Sequence, residues 1–282
     1  MANTIKQKRG TSDPSASDLV VGELAINTTD GGVFTKTDGG TVVEVGSGGG
    51  GASSINDLSD GVTYDSGTGI GLGTGALSND DGSDNQNTAV GYQAANALTT
   101  GSKSVAVGYQ ALKTATTDHS NVALGYQAMV DSTASQSIGI GREAQTKSTA
   151  NSNISVGYFS HYNLTSGGSN IAIGNQTGYS QTTGNSNVCI GNAAFDAATT
   201  ASNSVAVGTR ALGANTTASA NHAFGYEALE SNTTGDKNTA VGYQTLNANT
   251  TGSKNVAVGY ESLNTNTTGT GNIAVGSQAL FT

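Results

Sequence analysis

The chain has 282 residues, 35% of them hydrophobic and 5% aromatic, with 41 Gly, one Pro and no Trp. So few large side chains exclude a sizeable globular core, and the single cysteine, Cys189, excludes an intrachain disulfide and a zinc pattern. The formal net charge of −9 leaves no basic footprint for nucleic acid.

Residues 1–51 form a first segment. It is polar through Asp18, which gives no sign of a secretory signal, and no stretch of the chain approaches a membrane span. The short cluster Lys6, Lys8, Arg9 reads as a solvated or docking terminus. Three strands are predicted, Glu23–Asn27, Val33–Lys36 and Thr41–Val45. The turns between them are Thr28-Thr29-Asp30-Gly31-Gly32 and Thr37-Asp38-Gly39-Gly40. Such a meander is too small to stand alone and requires a partner chain or docking surface. Gly46–Gly51 reads as a flexible linker.

Residues 52–86 are an acidic connector with six Asp and no base. Gly67–Gly75 is glycine-rich, but no Gly-Lys-Ser/Thr follows, so a phosphate loop is not indicated. Asp80-Asp81-Gly82-Ser83-Asp84 clusters oxygens of the kind that hold calcium in a loop, but it matches no full calcium-loop pattern.

Residues 87–282 are a repeat array. A glycine recurs at 91, 108, 125, 141, 157, 174, 191, 208, 225, 242, 259 and 276, in steps of seventeen residues except the two sixteen-residue steps ending at Gly141 and Gly157. A weaker copy stands at Gly73. Positions are counted from this glycine. Position −1 is always large and apolar. Position −3 is Val or Ile except at Thr88, His222 and Thr239. Position −2 is Ala, Gly139, Ser155 or Cys189, and −4 is Asn in nine copies and Ser in three. Large, small, large at period two predicts a strand. After the glycine, +3 is small and +4 is often Leu (Leu112, Leu212, Leu229, Leu246, Leu263, Leu280). A Thr pair follows in eight of eleven units, which marks a polar turn.

Seventeen residues are too few for a helix, a strand and two turns. The predicted fold is therefore all-β: a parallel β-roll, or β-solenoid, of about twelve to thirteen coils, each with two short strands. Coils stacked about 4.8 Å apart would give a rod roughly 60 Å long. The expected arrangement has a Val/Ile ladder inside, an Asn ladder at one corner and a Thr ladder at another. Cys189 reads as a packed small residue, and His222 as a half-buried variant of an inward Val. The small residues at −2 and +3 are expected to contact other chains, in a homotrimer packed along a common axis. The array ends soon after Gly276, so a removed C-terminal segment or a second docked protein is expected to protect the last coil.

Catalysis is not indicated. The eight carboxylates of the array, among them Asp131, Glu143, Glu227 and Glu261, fall at different repeat positions, and His119, His161 and His222 lie in different coils. No cofactor or metal site is predicted. The candidate binding feature is the tyrosine after the glycine, in two runs: Tyr92, Tyr109, Tyr126 and Tyr226, Tyr243, Tyr260, with Arg142, Asn175, Asn192 and Thr209 between them. Such columns either present a sugar-binding stripe or brace a corner or subunit interface. Thr arrays on solenoids also suit ice, but adjacent Thr residues of an extended strand point to opposite faces, and the Gly after many pairs favours a turn.

The repeat, as in Asn238-Thr239-Ala240-Val241-Gly242-Tyr243-Gln244 and Asn255-Val256-Ala257-Val258-Gly259, resembles the head repeat of trimeric autotransporter adhesins of the YadA type over about 70% of the chain. That resemblance implies a trimeric left-handed β-roll that binds surfaces; the repeat here is longer, which implies an extended turn. The segment Gly22-Glu23-Leu24-Ala25-Ile26-Asn27-Thr28, with Asp38-Gly39-Gly40-Thr41-Val42-Val43-Glu44, is similar to the opening of bacteriophage tail fibres, particularly those of cyanobacterial and other marine phages. Together they imply a non-enzymatic, homotrimeric tail fibre made in the host cytoplasm and carried on the virion. Its N-terminal end would be mounted on a tail or baseplate protein. Its far end would meet a host-surface glycan or protein, or a second fibre protein. The alternatives are a bacterial trimeric surface adhesin and, more remotely, an ice-binding solenoid.

Overall fold

The structure, a computed structural model, describes residues 7–10, 15, 19, 24–27, 33–36, 41–44, 61–63, 69–83 and 85–281. The predicted turns at 28–32 and 37–40 and the linker at 46–51 lie outside these residues. The chain divides into two units, Met1–Ser59 and Asp60–Thr282. The described residues contain strands and no helix.

In the first unit, β1 (Gln7–Gly10), β2 (Leu24–Asn27), β3 (Val33–Lys36) and β4 (Val42–Glu44) form one sheet in that order. The β2–β3 and β3–β4 pairs are antiparallel, as the meander requires. β1 has no counterpart among the predicted strands. Gln-Lys-Arg-Gly lacks a strand pattern, yet it pairs parallel to β2 with Gln7 beside Leu24. Leu19, Ala25 and Phe34 are buried together, with Val42 packed against them.

The second unit is a β-solenoid. β5 (Gly61–Thr63) runs antiparallel to β6 (Ile70–Leu72). From β6 onward each coil adds one three-residue strand: β7 (Thr88–Val90), β8 (Val105–Val107), β9 (Val122–Leu124), β10 (Ile138–Ile140), β11 (Ile154–Val156), β12 (Ile171–Ile173), β13 (Val188–Ile190), β14 (Val205–Val207), β15 (His222–Phe224), β16 (Thr239–Val241), β17 (Val256–Val258) and β18 (Ile273–Val275). β6 to β18 are parallel neighbours in sequence order. Each residue lies beside its equivalent in the next coil, so Val205, His222 and Thr239 follow one another in register. The sixteen-residue coils keep this register, because Ile138 still meets Val122 and Ile154; their missing residue is taken from the turn side.

Two expectations are overturned. The first is that each coil holds two strands; it holds one. The second half of the coil is instead a curled segment in which +2 and +4 both take positive φ, as at Gln110 (53°) and Leu112 (52°). Its amides still bridge coils, alternately backward and forward: Gln127 N donates to Tyr109 O at 2.8 Å and Met129 N to Ala144 O at 2.9 Å. A left-handed residue with a side chain costs roughly 1–2 kcal/mol, and hydrogen bonding to both neighbouring coils offsets it.

The second correction concerns the faces. The small residues at −2 are the inward ones: Ala89, Ala106, Ala123, Cys189, Ala206 and Ala240 are fully buried, and they pack with leucines at +4 such as Leu112, Leu212 and Leu246. The small residues at +3, among them Ala111 and Ala228, are buried inside the coil as well. Neither set is available as the subunit contact surface expected of it. The Val and Ile at −1 and −3 point outward; Ile173 is 39% exposed and Val241 38%. His222, expected to be half-buried inside, is exposed on this outer face. A coil this narrow has room at its centre for Ala plus one Leu from the opposite wall. Gly139 shows the limit, since a Cβ there would lie 2.5 Å from Cγ of Met129.

The repeat glycine is fixed by the same closeness. Gly125 has φ +134°, and a Cβ on it would lie 2.6 Å from the carbonyl oxygen of Gly141 in the next coil. The Asn ladder at −4 is present and buried. Asn187 Nδ2 donates to Ala201 O at 2.8 Å, and its Oδ1 accepts from Ser204 N at 2.9 Å, which satisfies backbone groups at a corner closed to water. The Thr ladder is present too: Thr216 Oγ1 donates to Thr233 O and Thr233 Oγ1 to Thr250 O.

The core is not uniform along the roll. One apolar cluster runs from Ala76 to Met129 and another from Cys189 to Ala274. Between them the inner positions turn polar: Gln145, Ser155, His161 and Gln181 are all fully buried.

Candidate functional site

The glycine corner ends the outward strand face and turns the next side chain, +1, into solvent. All six candidate tyrosines are exposed there. Tyr92, Tyr109 and Tyr126 stack with centroids 5.3 and 5.2 Å apart, and Tyr226, Tyr243 and Tyr260 with 5.2 and 5.4 Å. That spacing follows from the coil repeat and lies within the range of favourable offset stacking. It also has a consequence for binding. The inner rings, Tyr109 and Tyr243, have both faces against their neighbours, so between its ends each column presents ring edges and hydroxyls to a sugar.

The first column does not end at Tyr126. The Arg142 guanidinium lies 5.6 Å from the Tyr126 ring and 5.7 Å from that of Tyr158, so cation–π contacts carry the stack across the short coil. Sequence reasoning misses Tyr158, although it holds the same position after Gly157 and alignment on the glycine finds it. Phe159 lies against it at 4.0 Å and 5.0 Å from Tyr162, which stacks on Tyr179 at 5.4 Å. Lys147 Nζ sits 5.2 Å over Tyr162.

Beside the tyrosines, at +2, runs a column of amides and carboxylates that the sequence does not single out. Gln110 donates to Gln93 and Gln127 to Gln110, each at 2.9 Å. Further on, Gln244 donates to Glu227 at 2.7 Å and Gln278 to Glu261 at 2.9 Å. The Gln244 amide, then the Tyr226 hydroxyl, hold the Glu227 carboxyl below its ordinary value. In return Glu227 and Glu261 push the Tyr226 and Tyr260 hydroxyls up. Arg210 bridges Glu230 at 2.7 Å and Glu227 at 3.8 Å.

Among the described residues, two grooves on this turn side lie near the columns. One, of about 270 Å³, is lined by residues from Gln110 to Tyr162, including Lys113, Gln127, Asp131, Glu143 and Lys147. The other, of about 470 Å³, lies around Asp196, Arg210 and Glu230, with Gly213 and Ala214 also lining it. Burial raises the Asp196 carboxyl.

The remaining candidates fall into place as structure. Ser155 Oγ lies 2.9 Å from His161 Nδ1, a nucleophile-and-base spacing, but both residues are fully buried in the core. Desolvation lowers the His161 pKa to about 3, so the ring is neutral. Among the described residues its hydrogen-bond partner is Ser155, while its Nε2 and the nearby Gln181 Oε1 are buried without one, so no carboxylate is placed to orient a base. Burial likewise pushes the Cys189 thiol up, which makes it inert packing. At the first coil Asp80 and Asp81 accept from Gly82 N, Ser83 N and Asn85 Nδ2. Those oxygens cap a turn, and Asp84 lies outside the described residues. Among the described residues no group of three His, Cys, Asp or Glu is placed to hold a metal ion, and no helix is long and apolar enough to cross a membrane. No family model matches the chain, and no match to it was found among curated proteins or solved structures.

Proposed function

We propose that the protein is a structural subunit of a homotrimeric phage tail fibre, mounted by its N-terminal sheet on a tail or baseplate protein and contributing to host-surface attachment through its roll. The observation that carries this reading is the outward Val/Ile face. All twelve residues at −1 and nine of twelve at −3 are apolar, and no Asp, Glu, Lys or Arg interrupts them. Twelve coils at about 4.8 Å with three residues each make a strip of roughly 600 Å², at the upper limit of what a monomer exposes. A narrow roll cannot bury this strip against itself, so copies of the same chain are its natural cover. Packing about a three-fold axis would let the −1 ladder of each copy meet the −3 ladder of the next, a heterologous contact that closes.

The first unit fits a mounting role, because its described core is only Leu19, Ala25 and Phe34 with Val42 at its edge. The opening motif around Gly22–Thr28 supports a virion. Thr hydroxyls engaged with carbonyls of the next coil weigh against an ice-binding array. The test is immunogold labelling with antibody raised against residues 87–282. Label on projections from phage tails supports the fibre; label on the surface of uninfected bacteria would replace it with a cellular adhesin.

A further inference from the structure

We infer that the groove between Gln110 and Tyr162 is an oligosaccharide-binding site, distinct from the tyrosine runs. This inference rests on the surface-attachment reading for its biological sense and on local geometry for its chemistry.

The irregularities of the roll concentrate here. Both sixteen-residue coils, the cation inserted in the tyrosine column and the aromatic cluster around Phe159 all lie within residues 125–179. The groove borders this stretch, which supplies Gln127, Asp131, Glu143, Lys147 and Tyr162 to its lining. Two of the seven bases of residues 87–282, Lys113 and Lys147, line it. A scaffold needs none of these departures, since the coils from 191 onward stack without them.

The chemistry selects the ligand. The amide ladder from Gln93 ends at Gln127, because Glu143 follows it in the column and a carboxylate cannot donate to Oε1 of Gln127. That oxygen and Asp131 remain as acceptors at the groove. Glu143 gives one oxygen to Arg142 at 3.1 Å and keeps the other. Lys113 and Lys147 supply donors, and Lys147 is held at the rim over the Tyr162 ring. Interleaved acceptors and ammonium donors match hydroxyls, which both donate and accept. A phosphate or other compact anion would face Asp131 and Glu143. An extended peptide would want a free strand edge, and this wall is curled backbone already bonded to both neighbouring coils. The volume, about 270 Å³, lies just below the roughly 300–1,000 Å³ typical of ligand sites. It suits one or two sugar rings with the rest of a glycan outside. The groove belongs to the turn half of the coil and the Val/Ile strip to the strand half, so binding and assembly use different surfaces.

The test is retention of the full-length protein on an array of bacterial lipopolysaccharide and capsule oligosaccharides, followed by titration of the retained glycans. The expected result is binding that weakens about tenfold or more in Lys113→Ala/Lys147→Ala and in Gln127→Ala, the loss of roughly 1.4 kcal/mol that a tenfold change in affinity represents. Tyr243→Ala and Arg210→Ala should bind as the parent does. Solution mass should be unchanged in every variant, and each should be fully folded at the assay temperature. No retention on the array, or retention unaffected by the groove substitutions, overturns the inference. Equal loss in Tyr243→Ala overturns it in favour of the tyrosine columns. Failure to bind sugar with tail labelling intact removes this site and leaves the fibre reading; loss of tail labelling with sugar binding intact does the reverse.

Discussion

From −4 to the glycine, twelve successive coils change little: Asn or Ser, a large apolar residue or its rare substitute, a small residue, a large apolar residue, Gly. After the glycine the same coils diverge. Position +1 carries Tyr, Arg, Asn, Thr or Ser, +2 an amide, an acid, Ala, Phe or Arg, and +5 anything from Gly213 to Tyr162. The difference is one of constraint. The strand half is bounded by a neighbouring coil above and below, by the core on one side and, in the proposed trimer, by another chain on the other. The turn half has solvent on its outer side, and +3, +4 and +7 are its positions held by the core, as at Ala111, Leu112 and Ala115. Variation is tolerated there, and it is where a binding site can be written without cost to the stack.

The contrast is tested hardest at the glycine. Gly125→Ala adds a methyl group at φ +134° and 2.6 Å from the next coil's carbonyl oxygen, and is expected to cost about 3–5 kcal/mol in chemical denaturation. Gly276→Ala has the same sign of φ, 128°, but its nearest neighbour is Ala279 Cβ at 3.9 Å; about 1–2 kcal/mol is expected from the backbone alone. Equal costs would mean that coil contact is not what fixes the glycine.

Next in size is the corner ladder. Asn187→Ala leaves the Ala201 carbonyl and the Ser204 amide without their buried partner. A loss of about 2–4 kcal/mol is expected, read as a lower unfolding midpoint and faster amide exchange at Ser204.

The polar core gives a pH test. The folded-state pKa of His161, about 3, is depressed below its ordinary 6.5. The unfolded chain therefore binds the proton first, and stability present above pH 6.5 is lost as pH falls towards 3. Between about pH 6.5 and 5, above the carboxylate range, the loss should be roughly 2 kcal/mol. His161→Leu, which restores the residue type found at +4 in Leu112 and Leu212, should flatten that slope. A slope unchanged in this variant would show that His161 is not its source.

The smallest effect belongs to the tyrosines. Tyr243→Ala removes two exposed stacking contacts and should lower stability by about 1 kcal/mol or less. A much larger drop would assign the column a structural task beyond bracing one corner.

Much of the roll is legible in the residues. A glycine at a fixed period and a large-small-large triplet before it locate every strand from Thr88 to Val275. The Asn at −4 and the packed Cys189 follow from position alone. The direction of the triplet does not follow. Alternation shows that two faces differ, and the habit of placing large apolar residues inside chooses the wrong one. The deciding quantity is the width of the coil. It admits the methyl groups of Ala106 and Ala240 opposite one leucine, but no second row of valines, so Val105 and Val107 face out on either side of Ala106. The positive φ at +2 and +4 is hidden for a different reason, since Gln and Leu are not residues that announce a left-handed backbone. The groove is hidden because its lining comes from several coils and several repeat positions, which only the stacked register brings together.

The trimer is tested most simply by the mass of the intact protein in solution, from multi-angle light scattering, alongside Val241→Asp/Val258→Asp on the outer strip. The expected mass of the parent is three times that of the 27.9 kDa chain, and the variant should be a smaller, still β-rich species. A parent protein that runs as a stable 27.9 kDa monomer, with its Val/Ile face in water, would contradict the assembly proposed for it.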